Sequence, residues 1–400
     1  MAPRLHTLEE LGDVSGKRAF VRVDYNVPLD GGKVADDLRI RASLPTLNEL
    51  LKGGAALVLA SHLGRPKGRV DEGLRMAPVA DRLSELIQTD VAAVSDVVGE
   101  EARAVCSHVE PGEIVMLENL RFDPGEEEND PGFADALAGL ADLYVNDAFG
   151  AAHRVHASVV AVPERLPSAA GRLLEREVEV LSRLLEGPEE PYVAVLGGAK
   201  VSDKLQAISA LIPRVDALLI GGAMAFTFIA ARGGSVGRSL VEKDLVDDVR
   251  EAERLASKTG SLLQLPEDVV VAPEISLDAP RQTVPADRIP PGQMGLDVGP
   301  RTVEEFARTL ADARTVLWNG PMGVFELEPF SAGTRGVAHA IAGASAFTVV
   351  GGGDSLLAVK RLGLEDSFDH LSTGGGASLE FLEGRELPGI EVLRRSREER

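Results

Sequence analysis

Five groups of residues in the first 160 positions have the chemistry of an anion site. They are Asp24 and Asn26 in VRVDYNVP, Arg39 in DDLRIRAS, His62 and Arg65 in SHLGRP, Arg121 in LENLRFDPGE, and Arg154 with His153 and His156 in NDAFGAAHRVHAS. A guanidinium fork takes phosphate or carboxylate oxygens two at a time, so a set of four arginines suits a small ligand with several anionic groups. Any one loop arginine is as readily solvated or paired with a neighbouring carboxylate. The three histidines invite a metal or an acid–base role, but no carboxylate cluster at ligand spacing accompanies them.

A different chemistry is written in the second half. VAVLGGAKVSDKL reads as a strand, a turn at Gly197 and Gly198, then a helix carrying Lys200 and Lys204 on one face, where free N–H groups at the helix start also favour phosphate. The P-loop pattern G-x-x-x-x-G-K-[ST] is absent. TVVGGGDSLLAV places Gly351, Gly352 and Gly353 after a buried strand, with Asp354 and Ser355 opening a helix. Glycines there let backbone amides approach phosphate, and Asp354 can hold Mg²⁺ directly or through water. LSTGGGASLEF repeats the arrangement with Gly374, Gly375 and Gly376; LIGGAMAF and MGLDVGP are weaker versions, and WNGPMGVFE offers Glu326 to a ribose hydroxyl. One glycine-rich turn usually means tight packing, whereas three with two lysines and an aspartate point to a nucleotide.

These groups need strands behind them. Apolar runs rich in Val, Leu and Ala predict strands over residues 18–23, 55–60, 114–117 and 143–146, then over 192–196, 217–220, 269–271, 315–318 and 346–350. Segments of helical period alternate with them, which is the pattern of βαβ units. The anion groups of the first half follow four strands, and those of the second half follow others, at the carboxyl ends where open α/β sheets bind ligands. Two series imply two doubly wound parallel sheets flanked by helices. Between them GRLLEREVEVLSRLL, residues 171–185, has apolar positions at helical spacing and stops at Gly187 and Pro188, as an interdomain helix would.

A length of 400 residues, with 44% hydrophobic and 26% charged, fits a globular chain with more than one core. The formal charge of −21 argues against nucleic-acid or anionic-membrane partners, so any anion site is local. Cys106 is the single cysteine and excludes an intramolecular disulfide. The start MAPRLHTLEELGDV has no signal-peptide core, and the expected compartment is the cytoplasm. The terminal RRSREER reads as a charged, frayed end.

VRVDYNVP, SHLGRP, LENLRF, NDAFGAAHRVH, LGGAKVSDK, GGAMAFTF, WNGPMGVFE, GGGDS and LSTGGGASLEFLEG, in that order between about residues 20 and 385, resemble the signature motifs of phosphoglycerate kinases. The resemblance implies two similar-sized domains: residues 1–170 for phosphoglycerate and 188–385 for nucleotide, joined by the helix of 171–187. Residues 386–400 would return to the first domain. It implies a phosphoglycerate site of Asp24, Asn26, Arg39, His62, Leu63, Gly64, Arg65, Arg121 and Arg154. The implied nucleotide site is Gly198, Lys200, Lys204, Gly222, Gly295, Pro321, Glu326, Gly352, Gly353, Asp354 and Ser355, with Asp354 on Mg²⁺. Arg39, Lys200, Gly375 and Gly376 would act on the moving phosphoryl group.

The expected reaction is reversible transfer from 1,3-bisphosphoglycerate to Mg·ADP, giving 3-phosphoglycerate and ATP, by a hinge-bending monomer. Tyr25 stands where Phe is commoner and Ala151 where Thr is often found, and neither change removes a ligand-binding charge. A nicotinamide dehydrogenase would want G-x-G-x-x-G after a strand, which GGAKVSDK does not supply. A catalytically inactive nucleotide-binding protein would be expected to lack Lys200, Arg39 or Asp354, and all three are present.

Overall fold

The computed structural model of the chain describes residues 4–394, so the expected frayed end and the last part of the returning segment, residues 395–400, lie outside the described residues. Two compact units result, one comprising the chain through Val180 together with the segment from Glu386, the other Leu181–Arg385. The division falls within the helix Arg172–Glu186.

The first unit is built on six strands: β1 (Arg18–Val23), β2 (Ala56–Ala60), β3 (Val91–Ala93), β4 (Ile114–Met116), β5 (Leu143–Asp147) and β6 (Ser168–Ala170). They lie in the order β3-β4-β2-β1-β5-β6, and every pairing is parallel. β1, β2 and β5 are covered on both faces, which is why their sequences are near-continuous apolar runs. Ala19, Val21 and Val23 face a core shared with Ile40, Leu47 and Leu50 of the helix Leu38–Lys52. The winding reverses at β1, with β2, β4 and β3 to one side and β5 and β6 to the other. Ligand crevices open at the carboxyl ends of strands at such a switch point.

The second unit repeats the plan with β7 (Tyr192–Leu196), β8 (Ala217–Ile220), β9 (Leu262–Gln264), β13 (Thr315–Asn319), β14 (Phe347–Gly351) and β15 (His370–Leu371). Their order is β9-β8-β7-β13-β14-β15, again all parallel, with the reversal between β7 and β13. A second sheet in this unit holds β10 (Asp268–Ala272), antiparallel to β11 (Gln282–Pro285) and β12 (Met294–Val298).

The run 269–271 was expected in the parallel series and belongs instead to this antiparallel sheet. Only Leu265, Pro266 and Glu267 separate β9 from β10. Three residues cannot make the crossover that a parallel neighbour requires. The short strands β3, β6, β9 and β15, at the edges of the two large sheets, were not anticipated, because VAA, SAA, LLQ and HL carry neither a readable period nor the unbroken large apolar run of the equally short β4.

The chain after Glu386 forms the helix Pro388–Arg394, which buries Ile390, Val392 and Leu393 within the first unit. The N–H of Gly389 donates to the carbonyl of Ala152 at 2.8 Å, and the N–H of His6 donates to that of Leu393 at 3.3 Å.

Candidate functional site

At the carboxyl end of β1, Tyr25 anchors the outgoing loop: its N–H donates to Ser61 Oγ at 2.8 Å, and its hydroxyl lies 2.6 Å from Ser43 Oγ. The loop thereby presents Asp24, whose Oδ2 accepts Nη1 of Arg39 at 2.5 Å. The loop after β2 is equally constrained. Asn119 accepts the N–H of Leu63 at 3.1 Å and donates to its carbonyl at 2.7 Å, while Asn26 Oδ1 accepts the N–H of Gly64 at 2.9 Å. Arg121 Nη1 donates to the Gly64 carbonyl at 2.8 Å. Gly64 has φ +62, and a Cβ there would meet Leu74 at 2.8 Å.

These contacts bring Asp24, Asn26, Arg39, His62, Leu63, Gly64 and Arg121 together. Arg65 and Arg154 are exposed, and their side chains make no hydrogen bond or salt bridge to any described residue. The electrostatics identify the neighbourhood of each ring. Burial first, then the charges of Arg22, Arg121 and Arg39, hold His62 well below the ordinary histidine range. Burial, with Arg121, Arg22 and Arg154, brings His156 down to about 3. Both rings are neutral at pH 7 and serve as hydrogen-bonding groups rather than cations.

Under this crevice lies a polar chain that the sequence reading passed over. Arg22, fully buried, donates from Nε to Ser158 Oγ at 2.8 Å and from Nη2 to His62 Nδ1 at 3.1 Å. Ser158 in turn donates from Oγ and N to the two oxygens of fully buried Glu126, at 2.6 and 3.0 Å. One signal was available: an arginine in the middle of an otherwise apolar strand must meet a partner inside the protein.

In the second unit the switch point is closed by glycines. The N–H of Gly197, after β7, donates to the Asn319 carbonyl at the end of β13 at 2.9 Å, and a Cβ on Gly320 would stand 2.3 Å from the Gly197 carbonyl oxygen. A Cβ on Gly222, at φ +66, would lie 2.5 Å from Gly198 N. A cavity of about 360 Å³ opens beside these turns, and Gly198, Gly222, Gly295, Pro321, Glu326 and Asp354 all line it. Its apolar walls include Phe226, Leu240, Val269, Ile275, Met294 and Val324, none of them among the expected site residues.

Lys204, Gly352, Gly353 and Ser355 sit behind or beside this lining. Lys204 Nζ donates to the Asn319 carbonyl at 3.2 Å and also to its side-chain oxygen. Burial pulls the lysine down to about 8, against the opposing pull of Asp354 and Asp203. The buried Ser355 hydroxyl accepts the N–H of Gly320 at 2.6 Å, so its side chain is committed internally. A Cβ on Gly353, Gly375 or Gly376 would meet nothing within 4 Å.

Lys200 corrects an expectation. The helix begins at Leu205, with Lys204 at its N-cap, so the two lysines do not share a helical face. Val201 is buried, and Glu242 clamps Ser202, accepting its N–H at 3.1 Å and its hydroxyl at 2.6 Å. Those contacts hold residues 200–204 in an irregular turn that leaves Lys200 exposed.

The family model for phosphoglycerate kinase matches residues 8–385. This chain belongs to the phosphoglycerate kinase family. Phosphoglycerate kinase of Thermomicrobium roseum is 58% identical over 389 residues, covering 97% of this chain and 99% of that protein. Phosphoglycerate kinase of Thermus thermophilus is 57% identical over 390 residues, covering 97% of this chain and all of that protein. Among solved structures, phosphoglycerate kinase from Coxiella burnetii superposes with a TM-score of 0.85 at 40% identity, over 98% of this chain and 99% of that one. The enzyme from Pyrococcus horikoshii gives 0.87 at 35% identity, over 97% and 98%. The two sheets with flanking helices described above are thus those of the phosphoglycerate kinase fold.

Proposed function

We propose that the first unit binds 3-phosphoglycerate or 1,3-bisphosphoglycerate and the second binds ADP or ATP. As a member of the phosphoglycerate kinase family the chain is a phosphotransferase with a carboxyl group as acceptor, acting in glycolysis. One observation supports the placement most directly. In a chain of net charge −21, Arg65, Arg154 and Lys200 stand exposed after strand ends with no side-chain hydrogen bond or salt bridge to a described residue, and Arg154 acts on the His156 ring together with Arg121 and Arg22. Cations gathered at strand ends of so acidic a protein suit an anion that arrives from solution.

The attacking oxygen is a carboxylate or phosphate oxygen already ionised at pH 7, so the transfer needs no general base. Catalysis rests on positioning and on stabilising charge at the transferring oxygens. In this reading Arg39, pre-oriented by Asp24, and Lys200 meet the moving group. The amides at Gly375 and Gly376 approach it through space that no side chain fills. Asn26, His62, Arg65, Arg121 and Arg154 hold the stationary part of the substrate. The apolar cavity takes the nucleoside, Glu326 its ribose, and Lys204 with the glycine turns its phosphates.

Among the described residues no cluster of three or more His, Cys, Asp or Glu could hold a metal by itself. The exposed Asp354 at the cavity edge fits Mg²⁺ carried on nucleotide phosphates, where a single protein carboxylate is enough and the ion neutralises phosphate charge. Transfer also requires the two bound substrates to meet away from water, so the reading includes hinge closure. It includes a cytoplasmic monomer, with no nucleic-acid or membrane partner; no helix among the described residues is long and apolar enough to cross a membrane.

The test is an ATP-dependent phosphorylation assay with 3-phosphoglycerate, with and without Mg²⁺, on the purified chain. Turnover that requires both 3-phosphoglycerate and Mg²⁺ is expected, and turnover indifferent to either would overturn the assignment.

A further inference from the structure

We propose that Glu126 is a positioning residue for the phosphoglycerate site: acting through Ser158 and Arg22, it holds the His62 ring in the tautomer that carries its proton on Nε2. The inference rests on the reading that His62 faces the phosphoglycerate.

The argument starts from the cost of Arg22. It lies on β1 on the face opposite Val21 and Val23, the face where Phe20 stacks on Tyr144 with ring centroids 5.8 Å apart. A guanidinium placed there must satisfy its donors and find a counter-charge. Nε reaches Ser158, Nη1 the carbonyl of Val23, and Nη2 the ring of His62. The counter-charge is Glu126, fully buried and joined to Arg22 through the Ser158 hydroxyl.

A guanidinium only donates, and this fixes the direction of each bond outward from Arg22. Ser158 Oγ must accept from Nε, so its single proton goes to Glu126. His62 Nδ1 must accept from Nη2, so in a neutral ring the proton resides on Nε2. The alternative is close at hand, because Asp24 Oδ1 lies 3.9 Å from the same Nδ1. If Arg22 were displaced, Asp24 would draw the proton to Nδ1, and Nε2 would offer a lone pair to an anionic ligand. Glu126 sits 64 positions from His62 in the chain and decides which form exists.

Nitrogen-detected NMR of the imidazoles in the full chain at pH 7 tests this, together with steady-state kinetics. The wild-type His62 should show the Nε2–H pattern. Glu126→Gln and Ser158→Ala should populate the Nδ1–H form and raise KM for 3-phosphoglycerate about tenfold, with KM for ATP within about twofold. Ser158→Thr, which keeps the hydroxyl, should restore both. An unchanged His62 pattern in folded Glu126→Gln would overturn the proposal. Should that variant fail to fold, Ser158→Ala keeps the hydrogen bond from the backbone N–H of residue 158 to Glu126 and decides the matter in the same way. If 3-phosphoglycerate leaves the wild-type His62 nitrogens unmoved, the ligand placement falls and the functional half of the inference falls with it, whatever the tautomer.

Discussion

Nζ of Lys204 lies 3.2 Å from the backbone carbonyl of Asn319, a residue 115 positions later that also offers the lysine its side-chain oxygen. Two neutral acceptors replace water incompletely, so burial brings the amine from 10.5 down to about 8. Between those values the unfolded chain binds more protons than the folded one. The contribution of Lys204 to stability therefore rises with pH through that window, and below about 8 it is a constant cost. A bound phosphate would favour the charged amine. Nucleotide binding near pH 9 is accordingly expected to take up a fraction of a proton, and at pH 7 much less. Calorimetry in buffers of different ionisation enthalpy measures the uptake, which Lys204→Met should abolish.

Glycines in the second unit separate into two kinds. A Cβ on Gly295 would overlap the Phe226 ring at 2.0 Å, so Gly295→Ala should lower the melting temperature. Gly353 and Gly376 have no positive φ and nothing within 4 Å of a Cβ. Alanine there should leave stability unchanged or slightly raised, yet weaken nucleotide affinity at Gly353 and reduce kcat at Gly376. Thermal melts beside kinetics check the pair; full activity in both variants would remove the open space as a ligand path.

Lys200 and Arg154 are both exposed, and their roles should differ in kinetics. An interaction made mainly in the transition state lowers kcat when lost, and one made equally in the ground state raises KM. Lys200→Ala is expected to cut kcat by roughly a hundredfold or more, the scale of a lost oxyanion stabiliser, with near-normal nucleotide affinity. Arg154→Ala should act mostly on KM for phosphoglycerate. A Lys200→Ala enzyme with wild-type kcat and weakened nucleotide binding would make Lys200 a phosphate anchor only.

The helix Pro388–Arg394 should contribute stability rather than nucleotide affinity. Leu393 is fully buried in the first unit, while the cavity proposed for the nucleoside belongs to the second. Leu393→Ala is expected to cost about 2–5 kcal/mol in denaturant unfolding, the range for a buried leucine. Its Kd for Mg·ADP should match that of the wild type, and a large change in that Kd would contradict the placement.

The amino-acid sequence by itself determined the class of fold and the chemistry at the strand ends. Short apolar runs such as ALVLA and VAVL, bounded by glycine, suit strands covered on both faces, and glycine after them is required where backbones approach, as at Gly197 and Gly320. Those constraints are local, so they are legible locally. The tertiary structure alone decided what depends on contacts between distant positions. It placed β10 outside the parallel sheet, because the short link from β9 leaves no room for a crossover. It kept Lys200 off the helix, through the clamp that Glu242 places on Ser202 from 40 positions away. It also joined Arg22 to Ser158 across 136 positions, and through Ser158 to Glu126. A buried charge states in sequence only that it needs a partner; which residue answers is settled by where the sheet and its helices bring the chain back.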